Sequence, residues 1–185
     1  MARAGTHQAG CPRRREGLVV TRSPYLEGLS TPDLGFGASF ALWGFRACAR
    51  GKAQCPVIVR GFRQMFEDEG LCVLTALLGL ARVLGVEGRR SLTLASPGSA
   101  RVTADELSIV AALAATMAQD AEKLDAHFAW LMAGAPHGRA MMAADHISYH
   151  FTARGLEIRE PQLEVSPMIA ATPNAGLVVY AGGRA

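Results

Sequence analysis

Residues 71–86 read LCVLTALLGLARVLGV, sixteen positions of which only Thr75 and Arg82 are strongly polar. A helix of this composition is apolar almost all round, so it is expected at the centre of the fold, enclosed by other helices. A bilayer span needs about 20 apolar residues. This run is shorter, contains Arg82 and leads straight into Glu87, Arg89 and Arg90, which favours a buried helix of a water-soluble fold with no membrane insertion.

Composition points the same way. The chain has 185 residues, 50% hydrophobic and 19% charged, enough for one core burying about 70% of the unfolded surface. The net charge of +3 is too small to attract nucleic acid or acidic lipid by electrostatics alone, so no nucleic-acid partner is expected. Arg13, Arg14 and Arg15 precede only three apolar residues, Leu18, Val19 and Val20, where a secretory signal needs a longer apolar run. The expected setting is therefore cytoplasmic, and Cys11, Cys48, Cys55 and Cys72 are expected as free thiols. Cys72 reads as a small core residue. Cys48 and Cys55 flank a helix corner, where a disulfide is the alternative.

The chain divides into an Arg-rich arm over 1–29, a helical domain over 30–160 and a tail over 161–185 that is extended or a short hairpin. Ser30, Thr31, Pro32 and Asp33 carry the signals of a helix start, with Phe36, Phe40, Trp43 and Ala47 at helical spacing up to about Arg50. Pro56 opens a second helix whose inward stripe is Ile58, Phe62, Met65 and Phe66, and Gly70 is expected to end it. Residues 91–94 read as a short extended run, followed by a turn at 96–99. Thr103, Ala104, Asp105 and Glu106 form a capping box for another helix. Gln119 and Asp120 then mark a kink or a fresh cap, and Gly134 with Pro136 ends the next element. Ala140, Ala144, Ile147 and Phe151 align a further helix, after which residues 156–159 alternate as a strand does. The fold class is mainly α, a single-domain bundle of five or six helices around the central apolar one.

Chemistry is harder to find. His146 and His150 stand four residues apart, which on a helix turns their rings only about 40° from each other, the spacing by which one helix offers two imidazoles to a metal. His127, on the preceding helix, with Glu122 or Asp125, supplies further ligands if the two helices pack antiparallel. No His-Glu-x-x-His is present, nor the paired Glu-x-x-His of a di-iron site. No Gly-x-Ser-x-Gly elbow supports a hydrolase. The turn at 96–99, leading into a helix start with Arg89, Arg90 and Arg101 nearby, suits an anion, but Asp105 and Glu106 already occupy that helix end. Arg46, Arg50, Arg60 and Arg63 read as one solvated corner.

The run Trp43, Gly44, Phe45, Arg46, then Cys55, Arg89, Arg90 and the stretch LTLASPGSARVTADEL at 92–107 resembles a group of small uncharacterised helical proteins from alphaproteobacteria. That resemblance implies a bacterial, cytoplasmic setting and carries no functional residue over. Two functional readings follow. In the first, the chain is a non-enzymatic interaction or accessory protein that needs no cofactor and docks on another protein or on itself, using apolar surface at Phe36, Phe40, Trp43, Trp130 and Met132. The alternative is a metal- or small-ligand-binding protein, or an enzyme, with zinc or another divalent ion held by His127, His146 and His150.

Overall fold

Six α-helices are present in the computed structural model, which describes residues 25–134 and 138–160: α1 Phe36–Ala49, α2 Pro56–Phe66, α3 Gly70–Glu87, α4 Ala104–Met117, α5 Ala121–Leu131 and α6 Gly138–Ala153. A two-stranded antiparallel ribbon joins β1 Tyr25–Ser30 to β2 Arg101–Thr103, with Tyr25 opposite Thr103, Ser30 opposite Arg101 and a bulge between. The fold is mainly α. α3 packs against α1, α2 and α6, whereas α4 packs against α1, α5 and α6. Thus α1 and α6 bridge α3 and α4, and α2 and α5 take the flanks. Between them lies one core that includes Phe45, Phe62, Phe66, Leu77, Leu80, Leu84, Leu113, Phe128 and Phe151.

Two ion pairs show that α3 and α6 run antiparallel. Glu87, the last residue of α3, meets Arg139 near the start of α6. Glu67, just ahead of α3, meets Arg154, just beyond α6, at 3.0 Å. The second contact also serves the backbone, because Arg154 donates to the carbonyl of Phe66 at 2.9 Å. That carbonyl closes α2, where Glu67 adopts a left-handed φ of 55° that an L-residue seldom takes.

The break at Glu67 corrects one boundary. Gly70 does not stop α2; a 3-10 turn at Glu67–Glu69 intervenes and Gly70 begins α3. By length and composition alone Pro56–Glu87 would suffice to cross a membrane, but this turn divides it. α3 by itself is about 27 Å long, just under a hydrocarbon core.

Further differences have local causes. The helix expected from Thr31 is a 3-10 turn, Thr31–Leu34, and α1 starts only at Phe36, because Gly35 between them takes a φ of 77°. Gly37 and Gly44 nevertheless stay inside α1. A side chain at Gly37 would strike the carbonyl of Glu157, and one at Gly44 would strike the ring of Phe62. Residues 91–94 form no strand; their backbone is held by side chains of the α4 cap, with the Thr93 amide donating to Asp105 at 2.8 Å and Thr103 Oγ1 donating to the Thr93 carbonyl at 2.6 Å. Residues 156–159 form no strand either, though Ile158 is buried in the core. The expected arm loses its last residues to β1, which begins at Tyr25. The rest of the arm, Cys11 and the tail over 161–185 lie outside the described residues.

Other expectations hold. Pro56 is the first residue of α2. Thr103 and Glu106 close a capping box in both directions, and Asp120 caps α5 by accepting from the Lys123 amide at 3.1 Å. Cys48, Cys55 and Cys72 are free thiols, so no disulfide closes the corner.

Candidate functional site

The histidines divide. On α6 the rings of His146 and His150 lie 4.8 Å apart, as the four-residue spacing requires. His150 is buried with the Tyr149 ring nearly perpendicular to its own at 5.2 Å, while His146 is exposed. His127 sits half-buried on α5, which packs chiefly on α4. Among the described residues no three His, Cys, Asp or Glu side chains gather closely enough to hold a metal ion. The structure therefore brings two of the three predicted ligands together and leaves the third apart.

Of the four arginines read as a solvated corner, Arg46 is buried to 1% exposure against Glu106 at 0%. Its Nε and Nη2 donate to the two carboxylate oxygens of Glu106 at 2.8 Å each. The remaining guanidinium hydrogens go to the carbonyls of Ser99 at 2.8 Å, Arg101 at 2.7 Å and Ser96 at 3.4 Å. Glu106 also accepts from the amides of Ala95 at 2.7 Å and Thr103 at 2.9 Å. Every donor of Arg46 and every lone-pair direction of Glu106 is thus used, and this is the condition under which a buried pair is tolerated. The turn at 96–99 presents carbonyls to Arg46, so it is not an anion cradle.

Next to this knot, Arg90 grips Asp105 with contacts of 2.5 and 2.8 Å and lies over the ring of Trp130, 5.7 Å from its centroid. The Arg90 hydrogen bonds, aided by the Thr93 amide, hold the Asp105 carboxyl below the usual aspartate range. These polar groups tie loop to helix and face one another. A cleft of about 430 Å3 opens elsewhere, between the end of α4 and residues 157–160, with Ala114, Met117 and Ile158 as walls. Both of its rim cations are already paired, Lys123 with Glu160 at 2.6 Å and Arg159 with Glu157 at 2.6 Å.

A further feature is the outward side of α3. Among the described residues only one side of that helix is enclosed: Val73, Leu74, Ala76, Leu77, Leu80 and Leu84 are buried, while Leu71, Cys72, Thr75, Arg82, Gly85 and Val86 are exposed, with Leu78 and Gly79 half-buried between them. These positions recur every three or four residues and form one continuous stripe along the helix. Leu71 is 44% exposed and Val86 83%. The expectation of a fully sheathed helix is therefore corrected, and so is that of Cys72 as a core residue. Partial desolvation, then the neighbouring Glu69 carboxylate, hold the Cys72 thiol above the ordinary range, so it stays protonated near neutrality. Sequence reasoning missed the stripe because Leu and Val do not declare which side of a helix is covered.

The apolar surface expected elsewhere is smaller. Phe36 and Trp130 are exposed, but Phe40 and Trp43 pack in a ring cluster with Phe62 and Phe66, and Met132 is buried. No family model matches this chain, and comparison with curated proteins and with solved structures gives no match either.

Proposed function

We propose that this chain is a non-enzymatic interaction or accessory protein of a reducing, cytoplasmic compartment, and that it works by docking through the outward stripe of α3. The observation that carries the reading is the continuity of that stripe. Leu71, Leu78 and Val86 run the length of a rigid helix, and the polar residues among them, Thr75 and Arg82, are too few to make it an ordinary solvated face. Packing of its inner side on α1, α2 and α6 holds the helix in place, so the surface is preorganised. Free thiols at Cys48, Cys55 and Cys72 suit a reducing compartment.

Cys72 reports on this surface directly. In a native extract of the host, site-resolved alkylation of Cys72 is expected to be slower in the wild-type chain than in Val86→Asp, whose stripe carries a charge. Equal rates in the two chains would remove the reading.

A further inference from the structure

We propose that the occupant of the α3 stripe is the same stripe of a second copy, packed antiparallel about a twofold axis that passes between Leu78 and Gly79. This rests on the docking reading above and names the partner.

The argument is the symmetry of the exposed positions about that midpoint. Leu71 and Val86 lie equally far from it, as do Cys72 and Gly85, Thr75 and Arg82, and Leu78 and Gly79. A twofold contact requires that where residue i meets j, j meets i. Antiparallel pairing about this axis meets the requirement with chemically matched partners. Each outer Leu71 covers a Val86, and each Leu78 lies over a Gly79 of the other copy. Gly79 and Gly85 have open space where a side chain would stand, so the two backbones can approach closely there.

The polar members match as well. Thr75 Oγ1 donates to the Leu71 carbonyl at 2.7 Å, leaving its oxygen free to accept from Arg82 of the second copy. Arg82 has no ion pair or hydrogen bond among the described residues. The two Arg82 side chains stand about 10 Å apart along the axis, far enough not to oppose each other.

Charge complementarity then selects the antiparallel sense. Asp68, before α3, and Arg89, after it, stand the same number of residues from that midpoint, both exposed, and neither has an ion-pair partner among the described residues. Antiparallel packing sets each Asp68 near an Arg89 of the second copy and opposes the two helix dipoles favourably. Parallel packing would place like charges together.

The test is sedimentation equilibrium of the purified full chain over micromolar concentrations, beside circular dichroism of each variant. The expected species is a dimer of twice the 19.6 kDa chain. Gly79→Trp fills open space in the single chain but blocks the approach, and should raise Kd by at least about tenfold. Asp68→Arg should weaken the dimer similarly, and Asp68→Arg with Arg89→Asp should restore it to within about threefold of wild type. A monomer at every concentration, a dimer indifferent to Gly79→Trp, or a charge exchange that fails to rescue would each overturn the proposal. So would binding of the monomer to anionic phosphatidylglycerol vesicles that Gly79→Trp abolishes. If the purified chain is monomeric while Cys72 stays protected in host extract, the docking reading survives and only the identity of the partner falls.

Discussion

Arg46 on α1 and Glu106 on α4 form a bidentate pair, both contacts 2.8 Å, at 1% and 0% exposure. The pair joins two helices sixty residues apart in the chain and gathers the loop over 95–103 around itself. Arg46→Ala would leave a buried carboxylate and three carbonyls without their donor. Such a break costs about 3–5 kcal/mol, which urea denaturation should read as a large fall in midpoint. Glu106→Gln combined with Arg46→Met should cost less than the sum of the two single changes, because neither charge is then stranded. An additive double variant would mean that the pair is not coupled.

Asp105 gives a pH prediction with a definite sign. Its carboxyl titrates below the ordinary aspartate value of about 3.9, first because Arg90 hydrogen-bonds the charged form and next because the Thr93 amide does. A group depressed on folding stabilises the fold fully above the unfolded value, and that stabilisation is lost as pH falls through the folded one. Wild type should therefore exceed Asp105→Asn in stability at pH 6, and the gap should close on acidification below about pH 4. A gap that stays constant down to pH 2 would assign the effect to shape instead of charge.

How much of this was legible depends on range. The α4 start was readable because Thr103 and Glu106 act on amides within three residues. The same Glu106 also reaches Arg46, and that partnership was not readable, since four arginines near one corner look alike until the tertiary fold chooses one to bury. His146 and His150 were readable as neighbours from helix geometry, whereas the position of His127 relative to them depends on how α5 docks. For α3, composition identified the helix and its role in packing but not its open side, because a large share of any folded surface is apolar.

Two helix glycines should respond oppositely to alanine. Gly44→Ala gains about 1 kcal/mol of helix propensity, but its new methyl meets Phe62 and Leu77 in the packed core. Overpacking of that kind costs about 1–3 kcal/mol, so the variant should melt at a lower temperature than wild type. Gly79 has nothing in contact range. Gly79→Ala, measured in dilute solution, should stabilise by about 0.5–1 kcal/mol. Stabilisation by both changes would mean that α1 and α2 do not approach as closely as Gly44 implies.

Thiol reactivity separates the inside of the bundle from its outer stripe. Burial pushes the Cys48 thiol up to about 11, and its sulfur lies 3.8 Å from the Leu74 carbonyl, to which it donates. The thiolate is the reactive form, so Cys48 should be alkylated only through opening of the α1–α3 contact, at a rate that rises with urea. In the dilute monomer Cys72 is exposed and should react in the native state, though more slowly than a free cysteine, because its own thiol is held protonated. Part of that restraint comes from Glu69. Glu69→Gln removes a negative charge beside the sulfur, lowers the Cys72 pKa and should speed its alkylation at pH 7.5 by about two- to threefold. Native-state labelling of Cys48 as fast as that of Cys72 would contradict the packing of α1 on α3.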